Sequence, residues 1–159
     1  MTAEIVPFEP AHAHAFYALN RAWLDAHGLY EPADEHHLAH PERSILAEGG
    51  SIFIAVTEGE VIGTAAVVPI DERVVEIVKL TVASHARGQG LGRRLVNACV
   101  QRARDAGAER IALVSSSLLH DALALYESMG FEHRPMPSRV PYATADVYME
   151  LALGDAVRA

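Results

Sequence analysis

Apolar positions change their period along this chain, and each change marks an element. Ile5 to Phe8 is short and apolar, and predicts an opening strand. Phe16, Leu19, Trp23 and Ala26 then recur at helical spacing, with Gly28 as a C-terminal stop. A short second helix is predicted around Asp34 to Ala39, between Pro32 and Pro41. The next region is rich in Val and Ile. Ser51 to Thr57, Glu60 to Val68 and Val74 to Val82 read as three strands, separated by the turn residues Glu58-Gly59 and Asp71-Glu72-Arg73. Short connections predict an antiparallel meander.

After Val82 the period returns to that of a helix. Leu91, Leu95, Val96, Cys99 and Ala103 form one stripe that ends at Gly107. Arg110 to Ser115 is the next strand, and a helical connection places it parallel to the fourth strand by a right-handed crossover. A last helix from about Leu118 stops at Gly130, and Phe131 to Arg134 and Asp146 to Leu153 close the chain as strands. The pattern is an α/β mixed sheet of about seven strands flanked by about four helices, with an antiparallel meander followed by a parallel pair.

At 159 residues, half of them hydrophobic, the chain reads as a single domain over 1–159. Such a domain buries roughly 68–70% of its unfolded surface, so it needs no disulfide or metal staple. Cys99 is the lone cysteine, which fits a reducing compartment. Met1-Thr2-Ala3-Glu4-Ile5 lacks a basic segment followed by an apolar one. The longest mostly apolar stretch, Val61 to Ile70, falls short of the roughly 18 residues of a membrane span. The expectation is a cytoplasmic domain with no membrane partner.

The net charge of −8 is unevenly spread. Residues 1–76 carry 13 acidic and 3 basic side chains, net −10. Residues 77–114 carry 7 basic and 2 acidic ones, net +5. This division suggests two partners of opposite sign, although solvated helix faces produce the same pattern, and it disfavours an extended nucleic-acid surface.

The basic segment contains the most informative stretch, in which a strand runs through a loop with Gly88, Gly90 and Gly92 directly into a helix. Alternate glycines let backbone N–H groups converge, and the helix start adds partial positive charge, so the loop suits a phosphate. Arg87 is a candidate phosphate contact. A dinucleotide fingerprint would need glycine where Arg93 stands, and no Lys follows to make a Walker loop. The spacing that fits is R-x-x-G-x-G, on Arg87, Gly90 and Gly92.

With these residues and this order of elements the chain resembles the GNAT superfamily of N-acetyltransferases along nearly its whole length. Glu76 to Val82 looks like the family's fourth strand, and Arg87 to Gly92 like its coenzyme A pyrophosphate loop. Ala124-Leu125-Tyr126 through Gly130-Phe131 is similar to its second signature, a helix bearing L-Y and ending at G-F. The resemblance implies acetyl-CoA as co-substrate, without a metal. It places the acetyl and pantetheine parts along Leu80-Thr81-Val82, and the pyrophosphate on Arg87, Gly88, Gln89, Gly90, Leu91, Gly92 and Arg93. Glu76 matches a general base or substrate anchor, and Tyr126 a general acid. Ser84 stands where a proline is common. Ser116 stands where many relatives place an asparagine near the coenzyme, and is the corresponding candidate contact.

A carboxylate can take the proton that an ammonium of pKa about 10.4 must lose before attack, and a phenol can protonate a departing thiolate. A backbone N–H can stabilise the oxyanion formed between those steps. The expected reaction is direct transfer to the primary amine of a small molecule or peptide in a ternary complex. The alternative is a non-catalytic acyl-CoA-binding or sensing domain on the same fold. The acidic first half favours a cationic amine, and family members are often homodimers. His36 and His40, one helical turn apart beside Asp34 and Glu35, invite a metal reading; the motif lacks the glutamate of H-E-x-x-H, and an exposed short helix is expected instead. Cys99 falls on the inward stripe and reads as packing.

Overall fold

The computed structural model describes residues 2–140 and 143–154; the other positions of the expected 1–159 domain lie outside the described residues. Its strands are β1 (Glu4–Pro7), β2 (Ser51–Thr57), β3 (Glu60–Pro69), β4 (Val74–Val82), β5 (Arg110–Ser115), β6 (Glu132–Arg134) and β7 (Val147–Ala152). They form one sheet in the order β1-β2-β3-β4-β5-β7-β6. β4 and β5 are parallel and β2–β3–β4 an antiparallel meander, as the pattern predicts, and the remaining neighbours are antiparallel too. The β2–β3 hairpin turns on Glu58 and Gly59, at φ +49° and +81°, the left-handed pair that suits a two-residue hairpin between twisted strands.

Helices cover both faces. α3 (Leu91–Asp105) and α4 (His120–Ser128) pack on one, where the apolar stripe of α3 meets Ile77, Ile111 and Met149. Cys99 is fully buried there, as packing. α1 (Ala13–Ala26) and α2 (Pro32–Ala39) cover the other face through Phe16 and Leu38, against Ile52, Ile54 and Ala66. α2 is less exposed than the sequence suggests, because Leu38 and Asp34 are buried at 1% and 2% exposure. A single π-type turn, Glu42–Leu46, follows it and has no counterpart in the sequence reading. Phe131 is core rather than strand, and β6 starts one residue later.

The feature that positions the site is an irregularity in β4. Ala66 faces Val78, but the next pair is Thr64 with Thr81, so β4 carries one extra residue. Lys79 takes up the slip at φ +55°. Before the bulge Val75 and Ile77 face α3; after it Leu80 and Val82 do, while Thr81 turns toward α1. The parallel pairing with β5 stops one residue before Val78, at Ile77 opposite Leu113, and β5 continues beside β7 to Ser115. The middle of the sheet opens there.

Candidate active site

A cavity of about 710 Å³ occupies the opening between β4 and β5. One wall consists of Leu80 and Val82, the loop from Ala86 into the first turn of α3, Ser116, and the inward face of α4 with Leu125 and Tyr126. The opposite wall comes from α1, α2 and the segment 144–145, with Val78, Lys79 and Thr81 of β4 between them.

The first wall is largely backbone. Ala83 donates its N–H to the Ile62 carbonyl of β3 at 2.8 Å. Successive strand amides alternate in direction, so those of Val82 and Leu80 point the other way, into the gap. Gly88 and Gly90 hold φ of +80° and +77°, and a Cβ at either would meet nothing within 4 Å. Only the left-handed backbone calls for glycine here, and the space above the loop is open to a ligand. Gly90 is the N-cap of α3 and no side chain caps that helix, so its first-turn amides face outward with their partial positive charge. Arg87 and Arg93 stand at the rim, Arg87 bonded to the Val82 carbonyl at 3.3 Å and Arg93 to Ser128 Oγ at 2.7 Å. A pyrophosphate fits this arrangement of glycines, amides and guanidiniums.

The second wall is built from side chains. Asn20 donates to the Phe16 carbonyl at 2.9 Å and to Thr64 Oγ1 at 3.0 Å, and accepts from Thr81 at 2.7 Å. Thr64 in turn donates to the Lys79 carbonyl at 2.7 Å, which satisfies the bulged backbone. The Lys79 ammonium is ion-paired with Asp34, both side chains being almost fully buried. Asp34 also accepts the Glu31 N–H at 2.8 Å, capping α2. Glu31 reaches in the other direction, accepting the amides of Ala143 and Thr144 at 2.9 Å each and the Thr144 hydroxyl. Burial pushes the Glu31 carboxyl up, but these bonds outweigh it and hold it below its ordinary value. The carboxylate thereby clasps a loop that reaches the cavity at Thr144 and Ala145.

Most residues singled out in the sequence converge on this cavity: Leu80, Thr81, Val82, Arg87, Gly88, Gly90, Leu91, Gly92, Arg93, Ser116 and Tyr126 line it. Thr81 does so from the α1 side, with its hydroxyl committed to Asn20. Ser116 is buried, its Oγ accepting the Leu118 N–H at 3.2 Å. Tyr126 is 7% exposed, beside Phe131 at 6.0 Å between ring centroids. Burial pushes its phenol well above its ordinary value, which keeps it protonated.

Two of the predicted residues are placed elsewhere. Gln89 lines a smaller recess on the outer side of the loop, with His85 and Arg94. Glu76 does not line the cavity; it lies two residues behind Val78 on the same sheet face, paired with Arg139 at 3.0 Å. Burial pushes the Glu76 carboxyl up, and the Arg139 guanidinium offsets only part of that. The acidic character of residues 1–76 is likewise not concentrated at the cavity, since Asp34 is their only carboxylate in its lining. Around α2, His37 contacts Ser44 Oγ at 3.1 Å and His40 contacts Arg43 at 2.8 Å. Among the described residues no three metal-binding side chains come together.

The sequence matches the acetyltransferase (GNAT) family over residues 12–131. The chain belongs to this family. N-acetyltransferase family 8 member 2 of Rattus norvegicus is 31% identical over 115 residues, 69% of this chain and 51% of that protein. The E. coli uncharacterized N-acetyltransferase YjgM is 33% identical over 88 residues, 54% of this chain and 53% of that protein. The chain thus spans about half the length of the curated relatives it matches. Among solved structures, a GNAT-family acetyltransferase from Staphylococcus aureus superposes with TM-score 0.87 at 16% identity, covering 96% of this chain and 99% of that one. A phosphinothricin acetyltransferase from Sinorhizobium meliloti, solved in complex with AcCoA, gives 0.79 at 22% identity, covering 100% and 92%. These likenesses show the fold. No helix among the described residues is long and apolar enough to cross a membrane.

Proposed function

We propose that this GNAT domain is an acetyl-CoA-dependent N-acetyltransferase acting on a primary amine of a small molecule or peptide by direct attack. The observation that carries the proposal is the opening between β4 and β5: a single cavity with the uncapped start of α3 on one wall and side chains of α1, α2 and the 144–145 segment on the other. Two reactants fit side by side in such a cavity, and proximity of this kind is a large part of what acyl transfer needs.

When bound, the coenzyme supplies an acetyl group activated as a thioester. The Leu80 and Val82 amides bind along it, the loop amides with Arg87 and Arg93 hold its pyrophosphate, and the Val82 N–H is available to an oxygen that becomes negative during attack. Glu76 accepts the proton of the incoming ammonium through a water in the roughly 7 Å, two-residue step that separates it from Val78. Its upward shift makes it a stronger base than an exposed glutamate. Tyr126 Oη donates its proton to the leaving sulfur and recovers one from solvent, so the products are an amide and a thiol with one proton released.

The test is free-thiol release from acetyl-CoA across amino acids, polyamines, aminoglycosides and peptides, together with thermal shift. Acetyl-CoA should raise the Tm where equal ATP or NADH does not, and at least one amine should release thiol. Stabilisation by acetyl-CoA with no release from any amine would instead favour a binding domain.

A further inference from the structure

We infer that the acceptor is an amine with no charge beyond its reacting ammonium, carried on an apolar body of aromatic size. This rests on the acetyltransferase reading above and specifies the substrate of the same site.

The wall formed by α1, α2 and the segment 144–145 contains two charged side chains, Asp34 and Lys79, and they are paired with each other. Their charges cancel. The polar groups beside them are committed as well, Asn20 to Phe16, Thr64 and Thr81, and Thr81 back to Asn20. A second ammonium placed on this wall would leave water with no counter-charge there to meet it. The excess of acidic residues in the first half of the chain does not supply one. None of Glu31, Glu35 and Glu76 lines the cavity, and Glu35 and Glu76 already have cations beside them, Arg21 at 3.7 Å and Arg139 at 3.0 Å; Asp121, which does line it, lies on the opposite wall with Arg87 and Arg93.

The wall does offer partly exposed apolar surface. Trp23, Leu24 and Leu29 line the cavity together with Val78. The Trp23 ring is set against His27, 4.4 Å between centroids and tilted by 32°, a contact that favours this placement of the indole at the cavity. An aromatic face beside aliphatic side chains favours a flat apolar body and gains little from a flexible polycation.

The experiment measures thiol release at saturating acetyl-CoA with 2-phenylethylamine, ethylamine and spermidine. The expected kcat/KM for 2-phenylethylamine exceeds both others by about tenfold or more and changes little between low and high salt, since apolar contact is not screened. Trp23→Ala should raise the KM for 2-phenylethylamine by about tenfold with the acetyl-CoA Kd unchanged, and Trp23→Phe should recover most of the loss. Preference for spermidine, or a KM indifferent to Trp23→Ala in the folded protein, overturns the inference alone. No thiol release from any amine of the wider panel overturns the acetyltransferase reading beneath it.

Discussion

The two walls of the cavity are made of different material. The coenzyme wall is chiefly backbone from one continuous stretch, Leu80 to Arg93, completed by α4. The acceptor wall is side chains from α1, α2, β4 and the 144–145 segment, joined by the Asn20–Thr64–Thr81 network, the Lys79–Asp34 pair and the Glu31 clasp. A backbone wall can be abolished only by changing the course of the chain, whereas a side-chain wall can be rebuilt one residue at a time. Coenzyme binding should therefore tolerate changes that alter the acceptor, and the choice among amines should survive changes that weaken the coenzyme.

The sharpest break in this division is at Lys79 and Asp34. Asp34→Ala leaves a buried ammonium without its carboxylate and should cost about 3–5 kcal/mol in urea or thermal unfolding. Lys79→Met with Asp34→Leu should recover part of that stability, because two apolar side chains need no counter-charge, while the α2 cap on the Glu31 N–H stays lost. If the single variant unfolds like the parent, the pair is not a support of the acceptor wall.

Tyr126→Phe tests the chemistry of the coenzyme wall. The ring and its packing on Phe131 remain while the proton is lost, so kcat should fall by about 10²-fold with Tm and acetyl-CoA affinity nearly unchanged. Normal kcat where chemistry is rate-limiting would return Tyr126 to the core. Gly90→Val should weaken acetyl-CoA binding by about tenfold or more, through the strained φ and the Cβ it puts over the loop, and calorimetry would show it. It should leave the KM ratio among amines as it was.

A smaller effect concerns Glu76. Its carboxyl is pushed up, so the acid limb of kcat/KM should lie above the ordinary glutamate range and disappear in Glu76→Gln. Arg139→Ala removes the positive charge that pulls this group down, so the limb should move to higher pH. A limb unmoved by Arg139→Ala would assign it to another group.

The coenzyme wall was legible in the sequence because it is local. The glycines at 88, 90 and 92, the strand before them and the helix after them are contiguous, and their spacing alone indicates converging amides. The acceptor wall was not legible, because Asn20 meets Thr81 across 61 positions and Glu31 meets Thr144 across 113. No periodicity encodes such pairings. Lys79 was counted as one basic residue of a charged segment and Asp34 as one acid of an acidic half, yet they neutralise each other. Regional charge points to a cationic acceptor, whereas the inference drawn from the wall is an acceptor with no second charge. The bulge is hidden for a related reason, since Val74 to Val82 carries no glycine to mark it and the left-handed backbone of Lys79 goes with a distant contact, the bond from Thr64 of β3 to its carbonyl.

That bulge also bears on where the sheet exposes its edges. Where β4 and β5 part, each presents unpaired backbone, the kind of edge on which strands of other molecules add and aggregates grow. Here the edges lie in the interior of a seven-stranded sheet, facing one another, with α3 and α4 packed over one face and α1 and α2 over the other. Placing the opening at the centre of the sheet keeps these two edges away from its outer strands, β1 and β6.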